Sequence, residues 1–375
     1  METLRYWLGF NLVRGIGPVR LRALLDRFGD IRSAWEASEQ ALREIKLDRR
    51  SLANFLKVRH QVDLDEVLRQ VERVGAQVLT WDTPDYPELL RQIDDAPPVL
   101  FVRGTLTPAD EWSVALVGTR KATVYGREVA HRLATDLAQN RVTLVSGLAR
   151  GIDSIAHKAA LDAGGRTLAV LGSGVDFIYP AEHRQLAEAV VNNGALISDY
   201  PLGTRPEASN FPARNRIISG LSLGVVVVEA DVKSGAMITA DFALDHGREV
   251  FAVPGSILSP ASAGCNRLLR DGASIVTEVG DILETLHLDQ VSEKQLAREV
   301  FPANATEAAI LERLTAEPRH LDQLSREIEL PVETISSTLV MMELKGMTRQ
   351  VAPLQYVVAR EPDEEYVVNA NTALV

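Results

Sequence analysis

The stretch NFPARNRIISG, Asn210 to Gly220, sets an aromatic ring, Phe211, beside two guanidinium groups, Arg214 and Arg216. A ring can stack on a nucleic-acid base while an arginine holds the neighbouring phosphate, the combination used by single-strand binders. The same residues also suit a core ring and an arginine paired with an acid such as Glu229. Further candidates lie in short loops of small residues: Gly118-Thr119-Arg120, Ser146-Gly147-Leu148-Ala149-Arg150-Gly151, Gly172-Ser173-Gly174, Ser234-Gly235-Ala236 and Pro254-Gly255-Ser256. Glycine lets backbone approach a ligand closely. A helix that starts after such a loop presents unpaired N–H groups and a positive dipole end, which together attract an anion. Arg120 and Arg150 add guanidinium forks that match a phosphate. One such loop is no more than a tight turn. Several on one sheet edge, two of them carrying arginine, point to an anion site.

Other chemistries find little support. The histidines, 7 in all, are scattered, and none forms an HExxH pair. No G-x-S-x-G elbow is present. GSGVDF lacks the third glycine of a dinucleotide fingerprint, and there is no GKS or GKT phosphate loop. The single cysteine, Cys265, excludes a cysteine-based metal cluster and reads as buried and inert. Asp153 reads as a helix cap and His157 as structural. No cofactor, metal or catalytic group is expected.

The elements that must position these loops are legible as period and punctuation. Apolar runs at Gln77–Trp81, Val99–Arg103, Ser113–Val117, Val142–Val145, Thr167–Leu171, Ala195–Ser198, Gly224–Val228, Glu249–Val253 and Ser274–Val276 read as strands. Helical patterns separate most of them, the mark of βαβ units. The fold class is therefore α/β: a Rossmann-like, doubly wound, mostly parallel sheet spanning residues 76–286. In that architecture the loops listed above share one edge, where ligands bind. Residues 1–75 read as a helical domain of the SAM/helix-hairpin-helix kind. There Gly15-Ile16-Gly17 before Pro18 makes a turn that opens a helix, and such a turn either joins helices or holds a phosphate. Residues 287–305 read as a polar linker, 306–360 as a winged helix, and 361–375 as a flexible tail.

The formal net charge is −11, from 51 acidic and 40 basic residues, which by itself argues against a polyanion partner. The distribution reverses this locally. Gly118 to Gly220 holds 12 Lys/Arg against 9 Asp/Glu, whereas the chain after Leu286 holds 8 against 15. A polyanion should therefore meet the middle of the chain. No apolar run approaches the ~18 residues of a membrane span, and the N-terminus carries no signal-peptide pattern. A cytoplasmic protein without membrane partners is expected.

VSGLARGIDSIAHKAAL, GSGVDFIYP, ISDYPLGTRPEASNFPARNRIISGLS, VVVVEADVKSGAMITADFALDHGREVFAVPGS and GCNRLLRDGA resemble the signature blocks of the DprA/Smf family of DNA-processing proteins. The resemblance is dense from about Tyr86 to Ala273 and looser toward both ends. It implies a Rossmann-like core that binds single-stranded DNA, forms a homodimer and helps load RecA recombinase onto incoming strands in natural transformation, without catalysis. By motif match it implies a DNA-binding set of Gly118, Thr119, Arg120, Ser146, Gly147, Arg150, Gly172, Ser173, Phe211, Arg214 and Asn215. Arg120, Phe211 and Arg214 are the foremost candidates for direct contact.

The chain departs from the family at three places. Ser234-Gly235-Ala236-Met237 stands where Ser-Gly-Ser-Leu is usual, and Ala352-Pro353-Leu354-Gln355 replaces a glycine pair in the wing. The helix expected to read DNA, Val332 to Leu344, has no lysine or arginine and contains Glu333 and Glu343. Protein, not duplex DNA, is the expected partner of the winged helix. The alternatives are a lysine-decarboxylase-like phosphoribohydrolase and a nucleotide-sensing regulator. The first is weakened because SGAMITADF lacks the second half of that family's glycine run and its glutamate, with Asp241 as the only nearby carboxylate.

Overall fold

The computed structural model describes residues 3–45, 47–288, 305–315, 318–328, 330–344 and 348–358. The chain divides into two compact units, Met1–Val291 and Ser292–Val375.

The first unit begins with helices α1 (Leu4–Asn11), α2 (Pro18–Phe28), α3 (Ile31–Glu36), α4 (Glu39–Glu44), α5 (Arg49–Gln61) and α6 (Leu64–Val74). Short polar residues start four of them. The side chains of Asp30, Ser38, Asp48 and Asp63 accept first-turn N–H groups, each satisfying a donor that the helix cannot. Phe10, Trp35 and Phe55 form the ring core, with centroids 5.1–5.2 Å apart. That core continues onto Val99 and Phe101 of the sheet. The Gly15–Gly17 turn opens α2 at Pro18, as its composition demands. The Gly15 carbonyl is taken by Arg20, which also pairs with Asp48 at 2.7 Å.

The sheet contains β1 (Gln77–Thr80), β2 (Val99–Gly104), β3 (Ser113–Gly118), β4 (Thr143–Ser146), β5 (Thr167–Val170), β6 (Gly194–Ser198), β7 (Gly224–Glu229), β8 (Glu249–Ala252) and β9 (Ser274–Ile275). Its order is β1-β2-β6-β5-β4-β3-β7-β8-β9. β2 runs antiparallel to β1 and β6, and the remaining neighbours are parallel. The connecting helices are α7 (Glu88–Arg91), α8 (Val124–Gln139), α9 (Ile152–Asp162), α10 (Arg184–Asn192), α11 (Asn210–Gly220), α12 (Gly235–Asp245), α13 (Ala263–Arg270) and α14 (Val279–Thr285).

Alternation along each strand divides the core. Val114 and Leu116 of β3 face Ala130, Ala134 and Ala156 of α8 and α9. Ala115 and Val117 face Ile217, Ile218 and Ala240 of α11 and α12. Small alanines let these helices sit close to the sheet, and burial on both faces explains the nearly unbroken apolar strands. β4, β5 and β6 extend the sheet to one side of β3, and β7, β8 and β9 to the other. The reversal leaves a crevice between the loops that follow β3 and β7.

The second unit contains α15 (Ala305–Arg313), β10 (Arg319–His320), α16 (Leu321–Ile328), α17 (Val332–Leu344), β11 (Thr348–Ala352) and β12 (Gln355–Val358). Ile310, Leu324, Ile335, Leu339 and Tyr356 close its core. β10 is a strand that the sequence pattern did not suggest. It completes an antiparallel sheet of order β10-β12-β11. The wing turn is made without glycine. Leu354 takes the left-handed conformation at φ 59°, which costs an L-residue about 1 kcal/mol. Most of the expected linker and all of the expected tail lie outside the described residues.

Candidate nucleic-acid interface

Five loops converge on the crevice, those that follow β3, β4, β5, β6 and β7. After β3, the Thr119 N–H donates to the Glu229 carbonyl at 2.7 Å. The Glu229 carboxylate, buried at the end of β7, accepts from the Thr123 N–H at 2.9 Å and hydroxyl at 2.6 Å. Thr123 in turn caps α8 by accepting from Gly126 at 3.1 Å. This clasp fixes the lip that carries Arg120 and Lys121. Sequence spacing suggested Glu229 as a partner of Arg214; the structure gives it to the α8 cap instead.

After β4 the chain turns sharply, with Leu148 at φ 57° and Gly151 at φ 80°. A Cβ on Gly151 would lie 2.3 Å from the Thr119 carbonyl oxygen, so only glycine fits where the two loops cross. Gly151, not Asp153, occupies the cap position of α9. Asp153 sits inside the first turn, buried, and folds its carboxylate back onto the Ala149 N–H at 3.3 Å. Burial raises its pKa, and the nearby Arg214 charge opposes the rise.

After β6, α11 begins at Asn210, so Phe211 lies in the first turn of the helix and not ahead of it. Pro212 is tolerated there because a first-turn N–H has no helical acceptor. Arg214 and Asn215 follow one turn later on the same side of the helix. Arg214 is only 3% exposed, and its Nη1 donates to the Gly147 carbonyl at 2.9 Å. Gly147 must be glycine: a Cβ would stand 2.4 Å from the guanidinium. Burial pulls the guanidinium down to about 10, so it remains charged at neutral pH. Arg216 points away and pairs with Asp199 at 2.6 Å, which removes it from the Phe211 constellation. Asn215 donates to the Gly235 carbonyl at 3.2 Å and ties α11 to the start of α12.

The crevice encloses about 740 Å³. Gly118, Thr119, Arg120, Phe211, Arg214 and Asn215 line it, together with Lys121, Asp153, Tyr179, Asp231, Lys233 and Ser234. Four cations thus face two carboxylates. Arg120 stands over the Phe211 ring, 5.3 Å from its centroid, a cation–π arrangement.

The other expected residues stand behind this surface. The Ser146 hydroxyl is wholly buried and donates to the Leu116 carbonyl at 2.7 Å, because its side chain points into the sheet. Ser173 donates to the Phe177 carbonyl at 2.7 Å and shapes the loop after β5. Gly172 makes room for Phe211, whose ring would be 2.9 Å from an added Cβ. Arg150 is exposed outside the crevice lining and is held by both oxygens of Glu182 at 2.7 and 2.8 Å. The Pro254–Ser256 loop is committed elsewhere: Gly255 exchanges two hydrogen bonds with Asn266, and the Pro254 carbonyl accepts from Tyr125. Two carboxylates, Asp153 and Asp231, line the crevice.

His157 and Cys265 are structural. His157 is fully buried, and its Nδ1 contacts the Thr167 hydroxyl at 2.7 Å. That hydroxyl donates to the Leu144 carbonyl, so Nδ1 carries the proton. Burial, and then the Arg214 charge, hold the imidazole down to about 3. Cys265 is buried, and burial pushes its thiol up to about 11.

Lys121, Tyr179, Asp231 and Lys233 were not singled out by sequence. The signal available for Tyr179 was a second aromatic, after Phe177, in the loop beyond a parallel strand.

A family model described as DNA recombination-mediator protein A matches residues 77–287, and a DprA winged helix model matches residues 294–352. Protein Smf of Synechocystis is 35% identical over 94% of this chain and 98% of its own length. Protein Smf of Escherichia coli is 42% identical over 72% of this chain and 74% of its own. The structure of DNA processing protein A from Streptococcus pneumoniae superposes with a TM-score of 0.67 at 35% identity, covering 76% of this chain and 97% of that one. A Helicobacter pylori DprA structure, described for its single-stranded DNA binding mode, covers 58% of this chain and 98% of its own at TM-score 0.52 and 32% identity. The chain belongs to the DprA/Smf family of DNA recombination-mediator proteins.

Proposed function

We propose that the crevice between β3 and β7 binds the backbone of single-stranded DNA, and that the protein is a non-catalytic mediator. The carrying observation is the convergence of Arg120, Lys121, Arg214 and Lys233 with Phe211 at the switch point of the sheet. Exposed cations (Arg120, Lys121 and Lys233) meet phosphates, buried Arg214 supplies a charge behind them, and rings meet bases. The other residues of the expected set, Gly118, Thr119, Ser146, Gly147, Arg150, Gly172, Ser173 and Asn215, shape or flank this surface. Family membership supports a cytoplasmic homodimer that loads RecA recombinase onto the bound strand in natural transformation.

Replacing Arg120 with alanine is expected to weaken binding of every single-stranded oligonucleotide alike. One lost phosphate contact should also lower the slope of log K against log salt by about 0.7. Fluorescence anisotropy over a salt titration measures both. An unchanged slope and affinity would remove Arg120 from the interface.

The winged helix is assigned a protein partner. α17 bears no cation, and Glu343 is fastened to the wing by the Gln350 N–H at 2.9 Å. Val340 and Met341 are half exposed on the same helix. A fragment of residues 306–360 should show no duplex binding at physiological salt, and a band shift with duplex DNA would refute the assignment.

A further inference from the structure

Phe211 presents little open ring. Arg120 stands over it, Gly172 presses against it, and Tyr179 leans on it with centroids 5.7 Å apart and planes 42° apart. A base stacked on the Phe211 face under Arg120 would have to displace the guanidinium. Tyr179 differs: it lines the crevice and is 44% exposed.

The loop carrying Tyr179 is firmly held. The Ser173 hydroxyl donates to the Phe177 carbonyl, and the Asp176 carboxylate accepts from the Gly203 N–H at 2.9 Å. Pro180 is buried behind it, and His183 Nδ1 meets the Leu148 carbonyl at 2.9 Å. A ring on a fixed loop loses little freedom when a base settles on it. Arg120 lies on the Phe211 side of this ring. Arg150, bound to Glu182, is near enough for its charge and the Tyr179 hydroxyl to interact.

We infer that Tyr179 is the base-stacking residue of the interface, with Phe211 as its buttress and Arg120 directed to phosphate. This rests on the reading of the crevice as a single-strand site. A stacked ring acts on bases and not on phosphates, so its contribution must vanish when bases are absent.

The test uses the full chain, wild type, Tyr179→Ala and Tyr179→Phe. Anisotropy is measured with an oligo-dT strand and with an abasic strand of equal length. Tyr179→Ala should bind oligo-dT about tenfold more weakly. Tyr179→Phe, which keeps the ring, should stay within about twofold of wild type. On the abasic strand all three proteins should bind alike. Wild-type affinity of Tyr179→Ala for oligo-dT would overturn the assignment and leave the crevice reading standing. So would an equal loss on both strands, since that marks a change in the loop and not lost stacking. Failure of the wild type to bind either strand would overturn the crevice reading and this assignment together.

Discussion

Replacing Arg214 with alanine is expected to lower folding stability by about 3–5 kcal/mol and to abolish tight single-strand binding. The size follows from what is left behind. Asp153 is buried in the first turn of α9, with the Arg214 charge opposing the desolvation of its carboxylate. Removing one member of a buried charge set strands the other, which costs about 3–5 kcal/mol. The Gly147 carbonyl also loses its donor, and the space that glycine keeps clear for the guanidinium becomes a void. Arg214→Lys should fall in between, because an ammonium is a point donor and cannot reproduce the planar fork. Urea denaturation gives the stability and anisotropy gives the affinity. Arg214→Ala within about 1 kcal/mol of wild type would show that the guanidinium contributes no net structural energy.

Acidification should unfold the protein partly through His157. Its folded pKa, about 3, lies below the unfolded value of 6.5 because the ring is sealed between α9 and the sheet. Between those values the unfolded chain takes up a proton that the folded chain refuses. Stability contributed by the neutral ring is therefore present above about pH 6.5 and falls as pH drops, by about 1.4 kcal/mol per unit. His157→Asn keeps a donor for Thr167 and cannot titrate. The stability gap between wild type and this variant should be constant above pH 7 and shift steadily in the variant's favour toward pH 4.5. Parallel profiles over that range would mean that His157 reaches solvent and protonates in the folded state. Asp153, whose raised pKa acts in the opposite direction, is common to both proteins and cancels in the comparison.

All nine strands of the first unit fall within one residue of where the apolar runs place them. Strands buried on both faces leave an uninterrupted Val, Leu and Ala signature, as in the Val225–Val228 run of β7. β10 escaped because Arg319 and His320 are polar and its strand character comes from pairing with Tyr356 and Gln355 of β12. At the site, glycines and arginines were visible as residue types. Which way their side chains point was not. Ser146 ends a strand with its hydroxyl bonded in the core, and Gly147 begins a loop whose carbonyl holds Arg214 behind the groove. Arg214 and Arg216 differ by two helical positions and face different partners for that reason. Asp153 looked like a cap because helix starts favour aspartate, yet the left-handed Gly151 took that position. Lys121 and Lys233 belong to loops separated by more than a hundred residues, and only strand order brings them together.

The clasp between Glu229 and Thr123 has a consequence for the order of events during synthesis. The carboxylate lies 106 residues after the hydroxyl it accepts from. A nascent chain emerging from the ribosome exposes the Arg120 lip while β7 is still untranslated. β3 can pair with β4 as soon as β4 appears, but its other neighbour is β7, so it waits with one edge bare. The lip is fixed only when β7 docks and brings Glu229 beneath α8. The edge that carries the Arg120 loop is thus completed late in translation and only by chain distant from it. A polypeptide truncated before β7 carries every residue of the Arg120 loop without the clasp that gives the loop its shape.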